Sequence, residues 1–371
     1  MSVDKKKICF LYGGKSREHE VSLRSAAAVV SRIDRAKFDP VCIAINQHGC
    51  WYLQDDFEGE MVPKGMVPKG MVPLVEDEKR VVSAIPGKGL FTGAGKIEVD
   101  FVFPILHGSF GEDGTVQGLL DLIDLPYAGA DTLGSALGMN KEKMKRVWIE
   151  HGLPVVPFET ITKEDFFQNK VEEVFASTKA RFGETVFVKP VSLGSSVGVS
   201  RVENRERFIE SLETVFTMDT AAMVEPAMNA REIECSVIGN ASPISYPPGE
   251  IIPSHEFYSY DAKYIDEEGA AFIIPAKFSS EKEAEIREIA VNAFLAGGIS
   301  GYARVDFFVE RKSERVLLNE INTIPGFTNI SMFPKMCEAA GMPFTELITE
   351  IIELGFERYE KRKELSFQYS G

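Results

Sequence analysis

GYARVDFFVERKSERVLLNEINTIPGFTNIS, residues Gly301 to Ser331, holds two runs of β-favouring residues with hydrophilic side chains set in at a spacing of two. Side chains on a strand return to the same face every second residue. Arg304 and Asp306 therefore share a face, as do Glu320 and Asn322. The polar segment Arg311 to Arg315 between the runs predicts a hairpin. Pairing would bring two carboxylates, an amide oxygen and a guanidinium onto one surface. Such an all-oxygen set suits Mg²⁺, a hard ion usually shared between carboxylates and substrate phosphates. The competing reading is a solvated polar face with a surface ion pair. The apolar flanks Phe307, Phe308, Val316, Leu317 and Leu318 favour the buried site. Thr323 to Ser331 adds Pro-Gly turn chemistry directly after the metal-ligand candidates.

Upstream, other segments offer phosphate-binding chemistry. Glu184 to Pro190 is predicted as a strand running into Val191 to Gly198, VSLGSSVG. Glycine and serine there can present N–H and hydroxyl donors to phosphate beside Lys189, although a plain turn has the same composition. Ala136 to His151 is predicted as one lysine-bearing helix closed by Gly152. Met223 to Pro226 has the character of a hinge strand able to lie along a flat ring, and Glu232 to Ile238 alternates as a strand. Tyr258 to Gly269, with Lys263 and Tyr264, is long, polar and aromatic, as lids often are. Amphipathic helices are expected over Glu281 to Ala296 and Phe344 to Lys363.

The amino-terminal third alternates strand and helix: Lys7 to Tyr12, Ser22 to Val30, Pro40 to Ile45, then Asp100 to Leu106. This predicts a parallel α/β unit with ligands at the carboxyl ends of its strands. Those ends carry Gly13-Gly14-Lys15-Ser16 and the glycine-rich loop from His107 to Thr115. Neither Gly14-Lys15 nor Gly95-Lys96 is a Walker loop, since Cys9 and Leu90 stand where the leading glycine is required. Residues 61 to 73 repeat MVPKG-MVPKG-MVP, too short a unit for a solenoid. They are expected to form a surface insertion without a catalytic part.

The 371 residues, 44% hydrophobic and 26% charged, can fill two or three domains. A net charge of −15 argues against nucleic acid or an anionic membrane as partner. Five cysteines without a C-x-x-C pair suggest free thiols in a reducing compartment. No apolar run long enough for a membrane span or signal peptide occurs, so a cytoplasmic location is expected.

From the residues alone, these features describe phosphoryl transfer from a nucleotide without a P-loop. Together, GGKSREHEVS (Gly13 to Ser22), LHGSFGEDGTVQG (Leu106 to Gly118), MNKEKMK (Met139 to Lys145), VKPVSLGSSVG (Val188 to Gly198), YDAKY (Tyr260 to Tyr264), RVDFF and NEINTIPGFT closely resemble the D-alanine–D-alanine ligase family of the ATP-grasp superfamily. The likeness runs over essentially the whole chain, and seven motifs in order make it specific. It implies an α/β fold in three domains, over 1–129, 130–224 and 225–371, with ATP between the last two. It implies D-alanine and ATP as substrates, two Mg²⁺ ions for which Mn²⁺ can substitute, and a homodimer.

The resemblance also assigns residues by matching position. Lys141 and Lys189, with Ser195 and Ser196, would bind ATP phosphates, and Lys263 would reach the γ-phosphate. Glu225 and Met228 would edge the adenine and Glu232 hold the ribose. Pro226 stands where the family commonly has lysine, so that adenine contact must come from backbone. Asp306, Glu320 and Asn322 match metal ligands. Glu20 would hold the first D-alanine's ammonium and link to Ser195 and Tyr264 when the lid closes. Arg304 and the Gly326 N–H would stabilise an oxyanion, Ser331 would take the second carboxylate, and His107 would lie near the substrates. Some ester-forming relatives, joining D-alanine to D-lactate, carry phenylalanine at the position of Tyr264. Two other readings are weaker. A biotin-dependent carboxylase would be expected to work with a biotin carrier, and no A-M-K-M-like segment occurs near the carboxyl end. A nucleotide sensor should lack metal ligands.

Overall fold

The computed structural model describes residues 5–56, 71–72, 74–167, 171–253 and 270–366. The lid stretch Tyr258 to Gly269, with Lys263 and Tyr264, lies outside them, as does most of the MVPKG repeat.

Ile8 to Tyr12 is apolar without interruption and completely buried, as a strand covered on both faces must be. Lys6–Gly13 pairs in parallel with Phe38–Ile45 on one side and Phe101–Ile105 on the other. Trp51–Gln54 closes this sheet antiparallel to Phe38–Ile45. The parallel α/β unit expected at the amino terminus is therefore present. Since Tyr12 faces Ile105, the loops following both strands leave the same sheet edge together.

Two antiparallel sheets follow. Ser200–Val202, Val186–Pro190, Ala221–Pro226 and Glu159–Thr162 form one, in that order. The other has six strands, in the order Ala270–Ile273, Gly249–Pro253, Ala230–Gly239, Gly301–Glu310, Val316–Asn322, with Ile244–Ser245 paired to Ala230–Gly239. A small three-stranded sheet lies within residues 83–97.

The single helix expected from Ala136 to His151 is two helices, Thr132–Met139 and Lys141–Glu150. Asn140 breaks it by adopting extended backbone and accepting the Lys143 N–H with its side chain, an N-cap that a run of helix-forming neighbours conceals. The break puts Lys141 in a first turn instead of mid-helix.

Helix Phe344–Lys363 matches its expected bounds and buries Leu347, Ile348, Ile351 and Ile352 completely. They enter a core shared with Ile8, Phe10 and Phe103 of the amino-terminal sheet and with Phe327 and Phe333. The Phe327 ring meets Phe103 edge-on at 6.1 Å and Phe344 at 5.9 Å. Edge-to-face pairs of this kind contribute about 0.5–1.5 kcal/mol each beyond area burial. Aromatic packing thus fixes the turn at Phe327 against the amino-terminal sheet.

The repeat needs a correction. Met71 and Val72, its third copy, are 5% and 1% exposed within that same core, and the Val72 N–H reaches the Leu23 carbonyl at 3.4 Å. This end of the insertion is packed, not superficial. All five cysteines are free, and all but Cys50 are buried.

Candidate active site

The hairpin forms as its alternation predicts. Gly301–Glu310 and Val316–Asn322 are antiparallel, with Arg304 opposite Asn322 and Asp306 opposite Glu320. Arg304 grips the Asp306 carboxylate with two bonds of 2.7 Å, and Asn322 Nδ2 donates to Asp306 Oδ2 at 2.9 Å. Lys141 Nζ sits 3.3 Å from Glu320. Both carboxylates therefore already gather positive charge from side chains. By register Asp306, Glu320 and Asn322 share one face, and they offer the oxygen donors that a hard divalent cation takes. Glu234, opposite Asp306 on the next strand, adds a second carboxylate 3.1 Å from Arg304 Nε. Sequence reasoning passed over Glu234, although its place in the alternating run was a usable signal.

The phosphate-binding candidates converge on this face. Lys141 Nζ donates to the Leu193 carbonyl at 2.5 Å, tying the helix start to the glycine-serine turn. In that turn Ser195 and Ser196 both lie in the left-handed region, with φ of 51° and 58°. Left-handed backbone at two adjacent non-glycine residues is uncommon and strained, and such positions cluster at ligand-binding turns. Lys189, nearly buried, lies 2.7 Å from Glu225 Oε2 and 3.2 Å from Asn319 Oδ1. Glu225 is 4% exposed and also bonds Lys145 Nζ. Burial raises the Glu225 carboxyl, but the two lysines together more than reverse this and hold it below the usual range. Its carboxylate is thus committed to protein, leaving backbone as the means by which Glu225 could edge a ring. Lys145 also escaped the sequence reading. Its spacing of four from Lys141 in MNKEKMK places both on one helix face and was a legible signal.

The glutamate that meets Ser195 is Glu18, not the expected Glu20. Glu20 is exposed on helix His19–Val30. Glu18, two positions earlier, is 7% exposed and accepts the Ser195 hydroxyl. Ser16 fixes it there: its Oγ donates to the His107 carbonyl at 2.8 Å and accepts the Glu18 N–H at 3.1 Å. Gly108, at φ +73°, leaves space for the carboxylate, because a Cβ there would come within 2.5 Å of Glu18 Oε2. Glu112 lies close by, accepting the Gly108 N–H at 3.0 Å. Burial, reinforced by the negative charge of Glu18, pushes its carboxyl up to about 8.

His107 is buried and joins distant parts of the chain. Nδ1 lies 3.0 Å from the Ile324 carbonyl and Nε2 3.1 Å from Ser25 Oγ. A carbonyl can only accept, so Nδ1 carries the proton and Nε2 accepts from the serine. Burial lowers the imidazole below its ordinary range, keeping it neutral. The ring thereby positions the turn that carries Gly326 and Ser331. Ser331 Oγ accepts the Thr328 N–H at 3.0 Å, and a Cβ on Gly326 would meet that Oγ at 2.9 Å. Glu232, on strand Ala230–Gly239 of the six-stranded sheet, and Met228, just before that strand, are half-buried.

Profiles of the D-ala D-ala ligase N-terminus and C-terminus match residues 7–130 and 147–353. The D-alanine–D-alanine ligase of Treponema denticola is 45% identical over 363 residues, covering 96% of this chain and 98% of its own. D-alanine–D-alanine ligase A of Escherichia coli K12 is 41% identical over 365 residues, covering 96% and 97%. Among solved structures, the D-alanine–D-alanine ligase of Coxiella burnetii superposes with a TM-score of 0.82 at 39% identity, covering 97% of this chain and 98% of its own. The VanG D-Ala:D-Ser ligase of Enterococcus faecalis gives 0.79 at 33% identity, covering 95% and 100%. The architecture is that of the ATP-grasp enzymes. Within that class, the chain belongs to the D-alanine–D-alanine ligase family.

Proposed function

We propose that this enzyme uses ATP to join two D-alanines into D-alanyl-D-alanine, a precursor for peptidoglycan. The observation that carries the proposal is the single face on which Asp306, Glu320, Asn322 and Arg304 meet beside Lys141. A carboxylate is a poor electrophile, since direct attack would expel oxide. Transfer of the γ-phosphoryl group to the first D-alanine carboxylate gives an acyl phosphate and ADP. The amine of the second D-alanine then attacks that carbonyl, and phosphate leaves.

Residues of this chain fit each need. Lys141, Lys189 and the Ser195-Ser196 turn would hold the triphosphate, with Lys263 at the γ-phosphate. Asp306, Glu320 and Asn322 would hold two Mg²⁺ ions or Mn²⁺, which neutralise charge between triphosphate and carboxylate. Glu18, rather than Glu20, would hold the first ammonium group, and its bond to Ser195 would join Tyr264 on lid closure. Arg304 and the Gly326 N–H would stabilise the tetrahedral oxyanion, and Ser331 would take the second carboxylate. Glu232 would hold the ribose, while Met228 and the backbone at Glu225 would edge the adenine. The domain division at 129 and 224, a homodimer and a cytoplasmic location complete this reading.

The test is ADP release with Mg²⁺ and D-alanine, with D-lactate and D-serine offered as competing nucleophiles. D-alanine should stimulate release and D-alanyl-D-alanine should dominate the products. Release indifferent to D-alanine would reject the ligase reading, and a dominant ester or D-serine product would reject its second substrate.

A further inference from the structure

The buried charges around Glu225 carry an inference about how the nucleotide site is prepared. Two lysines share this one carboxylate: Lys145 on Oε1 and Lys189 on Oε2. They are not equivalent. The Lys145 side chain has no exposed surface, its Nζ also lies 3.4 Å from the Val156 carbonyl, and the Phe158 ring is 5.6 Å away. It has no path to a ligand. Lys189 keeps some exposure and lies beside Asn319, the neighbour of Glu320.

A lysine that must turn to phosphate has to leave its carboxylate behind. A lone carboxylate at this depth is unfavourable, because little solvent remains to compensate its charge. With Lys145 in place, the carboxylate stays paired when Lys189 departs. Without Lys145, Glu225 would compete with the nucleotide for its only counterion.

We propose that Lys145 is a positioning residue for nucleotide binding, which keeps Glu225 neutralised so that Lys189 can be released to phosphate. This rests on reading Lys189 as a phosphate ligand. Lys145→Met should then weaken nucleotide binding although the side chain touches no nucleotide. Removing the charge that Lys145 serves should reverse the loss.

The experiment is calorimetric titration of ADP with Mg²⁺ into the full chain, as wild type, Lys145→Met and Lys145→Met/Glu225→Gln, with the melting temperature of each recorded without nucleotide. Lys145→Met should raise the ADP Kd by at least about 10²-fold, the scale of stranding a buried charge. The double variant, which removes the stranded charge, should bind ADP at least several-fold more tightly than Lys145→Met. An unchanged Kd in Lys145→Met overturns the proposal. So does a Kd that stays high in the double variant, which would mean that Lys145 acts by packing or by direct contact. Should Lys145→Met not fold, Lys145→Gln takes its place, and the same comparison with its Glu225→Gln double variant decides: tighter binding in the double variant supports the proposal and no recovery overturns it. A wild-type chain that bound no ADP would reject the nucleotide site itself, separating that failure from this one.

Discussion

Glu18 and Glu20 differ by two positions in sequence, yet the structure gives them opposite environments, so paired substitutions test the site sharply. Glu18→Gln keeps the side-chain shape and removes its charge. The carboxylate is buried and accepts the Ser195 hydroxyl, so the variant converts a charge-assisted bond into a neutral one. Hydrogen bonds to charged groups contribute about 1.5–3 kcal/mol against about 0.5–1.5 for neutral ones, so the exchange costs about 1–1.5 kcal/mol, roughly a 5- to 12-fold effect. Loss of attraction for a substrate ammonium would add to this. Steady-state kinetics with D-alanine varied at saturating ATP should therefore show kcat/KM reduced at least about tenfold in Glu18→Gln. Glu20→Gln, on the exposed helix face, should remain near wild type. In calorimetric titration with ADP, Glu20→Gln should keep the wild-type affinity, and any loss in Glu18→Gln should be smaller than its loss in kcat/KM for D-alanine. The reverse ranking, with Glu20→Gln impaired and Glu18→Gln normal, would refute the reassignment.

Four further outcomes are expected. Glu320→Gln should lower turnover by at least ~10²-fold, the scale of removing one preorganised electrostatic group, while circular dichroism shows a native fold; near-normal turnover at saturating Mg²⁺ would remove Glu320 from the metal site. Met71→Ala should destabilise by about 2–5 kcal/mol in urea melts, because the side chain fills the shared core. Deleting residues 61–65 should matter little, since another copy keeps the Met-Val anchor, and a large loss on deletion would show that the whole repeat packs. The His107 imidazole has its pKa lowered by burial, so its contribution to stability is present above the unfolded value near 6.5 and is lost as pH falls below it. His107→Asn should flatten the fall in stability on the acid side of pH 6.5, and an unchanged slope in pH-dependent melts would mean the ring is protonated in the fold.

What the sequence determined by itself was the local part of this protein. Alternation over Arg304 to Asp306 and Glu320 to Asn322 fixed which side chains share a face, because backbone geometry sets that period without help from distant residues. The continuous apolar run at Ile8 to Tyr12 likewise marked a strand covered on both faces. The ordered motifs were specific enough to identify the family. Tertiary structure decided partnership and burial. Glu18 and Glu20 are alike in composition and neighbourhood, and only the fit of one beneath Gly108 and Ser195 distinguishes them. Met71 and Val72 carry the same letters as the other copies of their repeat, and only the Leu23 contact reveals that this copy enters the core. Lys145 and Glu225 lie 80 positions apart, and His107 and Ile324 lie 217 apart. No periodicity extends over such separations. Pairing at that range follows from which polar groups lose their water together when the sheets and the closing helix pack, and each must then find its partner inside the fold.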